Sequence, residues 1–347
     1  SFYVQAVANQ KVEDYLPYMD LEGWNKTQKK VASQRKALKA CKIKSDDLLS
    51  LLPEQLLKEY CSYLNRATKS FVDKNNINSF NMHVSRVASL AEKIKKQRIR
   101  VNFRNLSELD LKNPRNKRML KKIEEGRRVI DYDVLGSRTG RLTNKPNSIP
   151  ILTLKKDLRG IIEPQNDLFA EFDYNAAEAR VLLALSGMNQ PKEDIHDWNI
   201  HNVFNGDGTR EEAKVRFFSW LYNSSSSDSL LDRAYDKVGI LKNYYNGKIV
   251  KNIFGREMES DDFHALNYLI QSTCADMVLE QAVKPDQLLK GKKSKIAFIV
   301  HDSIVVDVSK QDFNMMTTML NCFADTRLGE FKVNLSGGKT FGEMRKI

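Results

Sequence analysis

Apolar residues recur at every third or fourth position through much of the first 130 residues. The segments LLSLLPEQLLKEYCSYLNRATKSFV (48–72) and FNMHVSRVASLAEKIKKQRIRV (80–101) both carry this spacing and predict amphipathic helices. Their remaining faces are strongly basic, with Lys93, Lys95, Lys96, Arg98 and Arg100 in the second, and a further basic run covers 112–128. After residue 150 the pattern changes. DLFAEFDYNAAEARVLLALS (167–186) predicts a short buried strand, Leu168–Phe172, leading into a helix rich in Ala and Leu. SKIAFIVHDSIVVDVS (294–309) holds two β-branched apolar runs joined at His301-Asp302-Ser303, the pattern of a hairpin with a polar tip. Mostly helical segments lie between them, with one low-complexity loop, NSSSSDS (223–229). The pattern predicts an α+β chain: helices first, then a small sheet split by a helical insertion.

Composition narrows the classes. The 347 residues suffice for one large or two to three modest domains. Mean hydropathy is −0.50, and no apolar run approaches the ~18 residues that cross a bilayer, so no membrane span is expected. The first residues, SFYVQAVANQ, lack the basic-then-apolar plan of a signal peptide. Cys41, Cys61, Cys274 and Cys322 are far apart and form no CxxC pair, which points away from zinc or a disulfide framework and toward a reducing, cytoplasmic setting. The net charge of +12 attracts polyanions, of which nucleic acid is the commonest. The basic runs lead into a Gly/Arg/Asn-rich loop, GSRTGRLTNKPNSIP (136–150), which suits a surface that tracks phosphates.

Two acids stand out. Asp173 sits where the first strand ends and Asp302 at the hairpin tip, so both project from the rim of a buried sheet. An Asp after a strand also serves as a helix N-cap, so neither carries chemistry alone. If the strands are neighbours, the two carboxylates share a cleft and repel by ~4 kcal/mol at ~4 Å with an effective dielectric of ~20. A hard divalent cation relieves that repulsion, and oxygen ligands beside phosphate favour Mg²⁺. Two such ions about 3.5–4 Å apart clamp both oxygens of an in-line phosphoryl displacement.

The segment REEAKVRFFSWLY (210–222) places Arg210, Lys214, Phe218 and Tyr222 four apart, a stripe cationic at one end and aromatic at the other. A nucleotide has the same layout. An ordinary amphipathic helix with Phe218, Trp220 and Leu221 inward would give the same pattern.

Taken together these residues resemble the polymerase domain of family A DNA polymerases, the bacterial DNA polymerase I group with its phage and organellar relatives. Asp173-Tyr174-Asn175-Ala176-Ala177-Glu178-Ala179-Arg180 is similar to the family's motif A, DYSQIELR, and the stripe on 210–222 to motif B, R-x3-K-x3-F-x3-Y-G. Val300-His301-Asp302 is similar to the start of motif C, VHDE. Four lesser matches keep the family's order: Thr139-Gly140-Arg141-Leu142; Ile149-Pro150; Asp194-Ile195-His196 with Val203-Phe204; and Asn267, Gln271, Thr273 and Asp276. The resemblance covers about residues 136 to 310. Three departures stand beside it: Ser303 where the family usually has Glu, Asn223 where it has Gly, and Ala176-Ala177 inside motif A.

The resemblance implies a right-hand polymerase: a helical thumb and N-terminal region at 1–130, palm at 131–187, helical fingers at 188–262, and the rest of the palm, with its small antiparallel sheet, at 263–347. It implies a primer-extending DNA polymerase of compact, phage-like form working on primer–template DNA and dNTPs in a bacterial or infected cell. Asp173, Asp302 and the backbone carbonyl of Tyr174 would hold two Mg²⁺ ions. Lys214 would be catalytic at the leaving group; Arg210, Lys214, Phe218, Tyr222, Glu178 and His196 would bind the nucleotide. Arg141, Gln271, Asn267 and His301 would contact DNA. Glu178 beside Phe218 and Tyr222 would exclude a 2′-hydroxyl, and Phe218, lacking a hydroxyl, would disfavour dideoxynucleotides. Asp20-Leu21-Glu22 imitates the D-x-E signature of an editing exonuclease but follows Pro17 and no strand signal, so intrinsic 3′–5′ editing is not expected. An exonuclease, helicase or processivity factor would then be separate partners. The His301-Asp302-Ser303 form keeps open a single-subunit RNA polymerase or primase-like enzyme, and the charge alone an idle binding module.

Overall fold

The computed structural model describes residues 11–41, 51–74, 79–106, 112–222 and 227–347, in two compact units, Ser1–Asn81 and Met82–Ile347. Asn223, and with it most of the 223–229 loop, lies outside the described residues.

The first unit is built on α1 (Tyr18–Ala40) and α2 (Glu54–Lys74). The second helix starts directly after Pro53, whose missing N–H costs nothing at a helix entrance. Trp24 is the centre of its core, packed with Val12, Tyr15, Leu16, Ala67 and Phe71 and stacked on Tyr60 at 5.4 Å. Asp20 and Glu22 fall in the first turns of α1, and Asp20 pairs with Arg66 at 3.0 Å. The D-x-E imitation thus stands on a helix.

The second unit begins with α3 (Ser79–Lys95), where periodicity alone predicts a helix running on to Val101. Instead β1 (Arg100–Val101) pairs antiparallel with residues 162–163, and Asn102 donates to the Ile161 carbonyl at 2.8 Å. A tertiary partner captures backbone that the local pattern assigned to helix. Next comes α4 (Pro114–Glu125), capped by Asn113, whose side chain accepts from the N–H groups of Arg115 and Asn116. β2 (Tyr132–Asp133) and β3 (Thr143–Asn144) form a small hairpin that closes the predicted Gly/Arg loop. β4 (Ile162–Glu163) is the partner of β1.

The central sheet holds five antiparallel strands in the order β13-β12-β5-β9-β8. They are β5 (Leu168–Tyr174), then β8 (Lys295–Val300), β9 (Ser303–Val308), β12 (Val333–Gly338) and β13 (Arg345–Lys346). Between β5 and β8 come α5 (Ala177–Leu185), α6 (Ile195–Asn202), α7 (Arg210–Tyr222), α8 (Ser229–Tyr235), α9 (Lys237–Tyr244), the hairpin β6 (Ile249–Lys251) and β7 (Glu257–Glu259), and α10 (Ala265–Leu288). After β9 follow α11 (Met316–Ala324) and the short pair β10 (Asp325–Thr326) and β11 (Gly329–Glu330). The fold is α+β with a small antiparallel sheet, as the pattern predicts. β12 and β13 were not predicted: the alternation of VNLS is only four residues long and runs into Gly337-Gly338.

Strand alternation divides β5. Phe172 and Tyr174 point to one side, where Tyr174 stacks on Phe323 of α11 at 4.4 Å and donates its hydroxyl to the Phe323 carbonyl. Phe169, Glu171 and Asp173 point to the other. Phe169 is buried against Phe298, while Glu171 and Asp173 are half-buried. α10 is buried on nearly every side, which explains why it shows no amphipathic stripe.

Candidate active site

The register brings the two aspartates together. Asp173 lies opposite Ser303 on β9 and opposite Asn334 on β12, and the Tyr174 N–H reaches the Asp302 carbonyl at 3.4 Å. Sequence pattern alone ended the strand at Phe172; in fact Asp173 lies inside it, because β9 and β12 both pair with its last residues. The turn on the other side contains only His301 and Asp302; Ser303 is already strand. His301 takes the left-handed φ of +53° that tight hairpins require, and its ring is exposed.

Both carboxyls are pushed above the usual range. Asp173 rises to about 7, chiefly through burial and then through the charges of Asp302 and Glu171, with a hydrogen bond from Asn334 opposing. Asp302 rises mainly through burial, with Glu178 and Glu171 adding to it. The two acids face one rim, and among the described residues neither has an ion-pair partner.

The helix α7 presents its stripe as expected. Ala213, Phe217, Trp220 and Leu221 are its buried side, held by an edge contact of Phe217 with Tyr235 at 5.3 Å and by Trp220 donating to Asp232 at 2.8 Å. Along the edge of that side Arg210 and Lys214 are exposed, and Phe218 and Tyr222 are half-buried and stacked, 6.0 Å apart and 3° from parallel. Phe218 is therefore not core. Glu178, in the first turn of α5, receives the Tyr222 hydroxyl on one oxygen and the Arg141 guanidinium on the other. Three separate motifs meet at that carboxylate. A cavity of about 1030 Å³ lies in front of them, lined by Arg141, Glu178, Phe218, Cys274, His301 and Asp302 among others.

Arg210 and His196 stand differently. Arg210 is bound to Asp194 at 2.8 Å and to Glu211 at 2.8 Å. Asp194 also caps α6 by accepting from the His196 N–H and receives Asn175 Nδ2 at 2.8 Å, and these donors hold its carboxyl well below the usual range against the cost of burial. His196 is 2% exposed, wedged edge-on against Phe217 and Phe218. Burial lowers its pKa, and Arg210 and Lys214 lower it further against the pull of Asp194, so the ring is neutral at neutral pH. It lies behind the stripe and not on its open side.

On α10, Asn267 and Gln271 are half-buried one turn apart, and Ala275, one turn further on, lines the cavity. Asn267 Oδ1 is buried without a hydrogen-bond partner.

Two arginines form the frame. Arg180 is fully buried and donates to the backbone carbonyls of Asn175, Pro191 and Glu193 and to Asn175 Oδ1, tying the end of β5 to the loop before α6. Arg256 donates twice to the buried Asp276, at 2.9 and 2.8 Å, and that acid also accepts from Asn252 and meets His83 at 3.3 Å. The Arg256 guanidinium lies so close under Gly140 (φ +76°) that a Cβ there would come within 2.3 Å of it. Sequence reading missed Arg256, since one Arg in FGREM carries no pattern. It also missed Glu171, whose signal was present: a second acid two residues from Asp173 in an otherwise apolar strand.

The donor set fits Mg²⁺. It consists of the two mutually repelling carboxylates of Asp173 and Asp302, all oxygen. Among the described residues no three or more His, Cys, Asp or Glu side chains form a ready cage. Among the described residues no helix is long and apolar enough to cross a membrane.

No family model matches the chain. Over 242 residues it is 25% identical to DNA polymerase I of Aquifex aeolicus (strain VF5), a stretch that covers 56% of this chain and 42% of that protein. Among solved structures it is similar to the POL domain of Pol1 from M. smegmatis in complex with DNA primer-template and dNTP. The TM-score is 0.51 and the identity 16%, covering 86% of this chain and 56% of that one. The chain thus spans about half the length of these relatives, and its fold is like that of the Pol1 POL domain.

Proposed function

We propose that this chain is a template-directed DNA polymerase that extends a primer 3′-hydroxyl with dNTPs. The observation that carries this is the approach of Asp173, on β5, to Asp302, in the turn before β9, with Asp302 and Phe218 of α7 both lining the cavity. The likeness to DNA polymerase I supports it.

In this reading Asp173, Asp302 and the Tyr174 carbonyl hold the Mg²⁺ ions, which when bound supply charge stabilisation to a phosphoryl transfer. Lys214, exposed at the cationic end of the stripe, holds the α/β region of the triphosphate and donates a proton to the departing pyrophosphate. Arg210 exchanges Asp194 for the outer phosphates. His196 acts on the nucleotide indirectly, by supporting Phe218 from behind. Tyr222 stacks where the templating base arrives. Glu178, held by Tyr222 and Arg141, fills the space of a ribose 2′-hydroxyl. Arg141 and Gln271 read minor-groove acceptors common to all correct pairs, Asn267 assists on the template side, and His301 lies by the primer terminus. The segments 1–130, 131–187, 188–262 and 263–347 serve as thumb, palm, fingers and palm.

We assign no editing to these 347 residues; Asp20 and Glu22 on α1 support that assignment. Ser303 favours a second reading, synthesis of RNA, which the crowding around Glu178 opposes. Primer extension on a defined template with Mg²⁺ decides among these. The expected result is extension with dNTPs, at least a hundredfold weaker use of NTPs, and no removal of a mismatched 3′ end. Extension with NTPs alone would install the second reading.

A further inference from the structure

Position 303, directly after Asp302, holds Ser where the resemblance leads one to expect a third carboxylate. Ser303 is 2% exposed, and its hydroxyl lies between two acceptors, Glu171 Oε1 at 3.0 Å and the Val300 carbonyl at 3.1 Å. The register explains the contact with Glu171. Asp173 lies opposite Ser303 and Glu171 opposite Val305, so Glu171 is the diagonal neighbour of Ser303 on the same face of the sheet as Asp173. Within β5 the half-buried Glu171 shares its face with the buried Phe169 and with Asp173. Among the described residues no Lys, Arg or His forms an ion pair with Glu171, Asp173 or Asp302. Three acids on one rim, with no protein cation near enough to pair, leave room for a cation from outside.

We propose that Glu171 supplies the third carboxylate of the divalent-metal site. The charge expected next to Asp302 on β9 has moved across to β5, and Ser303 now holds it in place. This rests on the proposed polymerase reading of the Asp173–Asp302 rim. Glu171 acts as a positioning residue: it adds negative charge beside the ions and orders their outer shell, while the two aspartates make the direct contacts. A merely structural Glu171 would serve only to accept the Ser303 hydroxyl, and a glutamine does that equally well.

Glu171→Gln therefore separates the two roles. The probe is Mn²⁺ alone, titrated into the full chain without DNA or nucleotide and read by electron paramagnetic resonance. Glu171→Gln should weaken Mn²⁺ binding about tenfold, the usual scale for an outer-shell partner, with an unchanged or higher melting temperature when metal is absent. Adding Ser303→Glu to that variant should bring the affinity back to within about threefold of wild type, with primer extension recovering in parallel. Mn²⁺ affinity within twofold of wild type in Glu171→Gln, or a double variant no tighter than the single one, overturns the proposal. Because the Mn²⁺ readout needs no polymerisation, it judges Glu171 even if the wild-type chain extends no primer, a result that would overturn the polymerase reading instead.

Discussion

Asp173 has a folded-state pKa of about 7 against an ordinary 3.8, so the protein holds this proton more tightly folded than unfolded. Its contribution to stability is full below pH 4 and is lost as the pH rises toward 7. Above that, the buried charge costs on the order of 2–4 kcal/mol unless a cation neutralises it. Asp173→Asn should accordingly raise metal-free stability at pH 8, by roughly 2 kcal/mol in chemical denaturation, while abolishing extension. An Asn variant less stable than wild type at pH 8 would mean that the carboxylate is already compensated within the protein. Because Mg²⁺ competes with the Asp173 proton, the Mg²⁺ concentration needed for half-maximal extension should rise as the pH falls. Phe218 belongs to the same scale. It has no hydroxyl to offer a nucleotide lacking its 3′-OH, so Phe218→Tyr should raise dideoxynucleotide use relative to dNTPs about tenfold or more, the worth of one hydrogen bond. Competitive incorporation measures the ratio, and an unchanged ratio would place residue 218 away from the sugar. What could be seen in the sequence at this scale was the residue whose type and spacing repeat a chemical plan: Asp173, Asp302, Lys214, Phe218. Glu171 left a local signal, an acid two residues before Asp173, but Arg256 and the withdrawal of Arg210 onto Asp194 depend on partners remote in sequence, which no local pattern records.

At the scale of elements, α7 works because its two sides are so unlike. Phe217 and Trp220 lock it to α6 and α8, and the stripe runs along the edge of that buried side with Lys214 exposed. Phe217→Ala should cost about 3–5 kcal/mol of stability, as large core truncations do, whereas Lys214→Ala should leave the melting temperature unchanged and abolish extension. If Lys214→Ala instead unfolds the protein, the stripe is structural. The four-residue spacing of the stripe could be read in advance, as could β5, β8 and β9 from their apolar runs. Two features could not. β1 cuts short a helical pattern because β4 supplies a strand partner, and β12 adds to the sheet through a sequence whose strand character comes only from pairing with β5. In both cases non-local backbone hydrogen bonds outweigh the local pattern.

At the scale of the whole molecule, the net charge of +12 and the basic helices of the first 130 residues supply a sequence-independent attraction for duplex phosphates. The chemistry is concentrated at one rim of one sheet. DNA binding and catalysis should therefore separate on mutation. The most direct measurement compares wild type and Asp302→Asn in single-turnover primer extension with Mg²⁺ and in primer–template binding across a salt series. The account predicts extension reduced at least a thousandfold in Asp302→Asn, with affinity within threefold of wild type and the same salt slope. Extension by Asp302→Asn at a rate near that of wild type would contradict it.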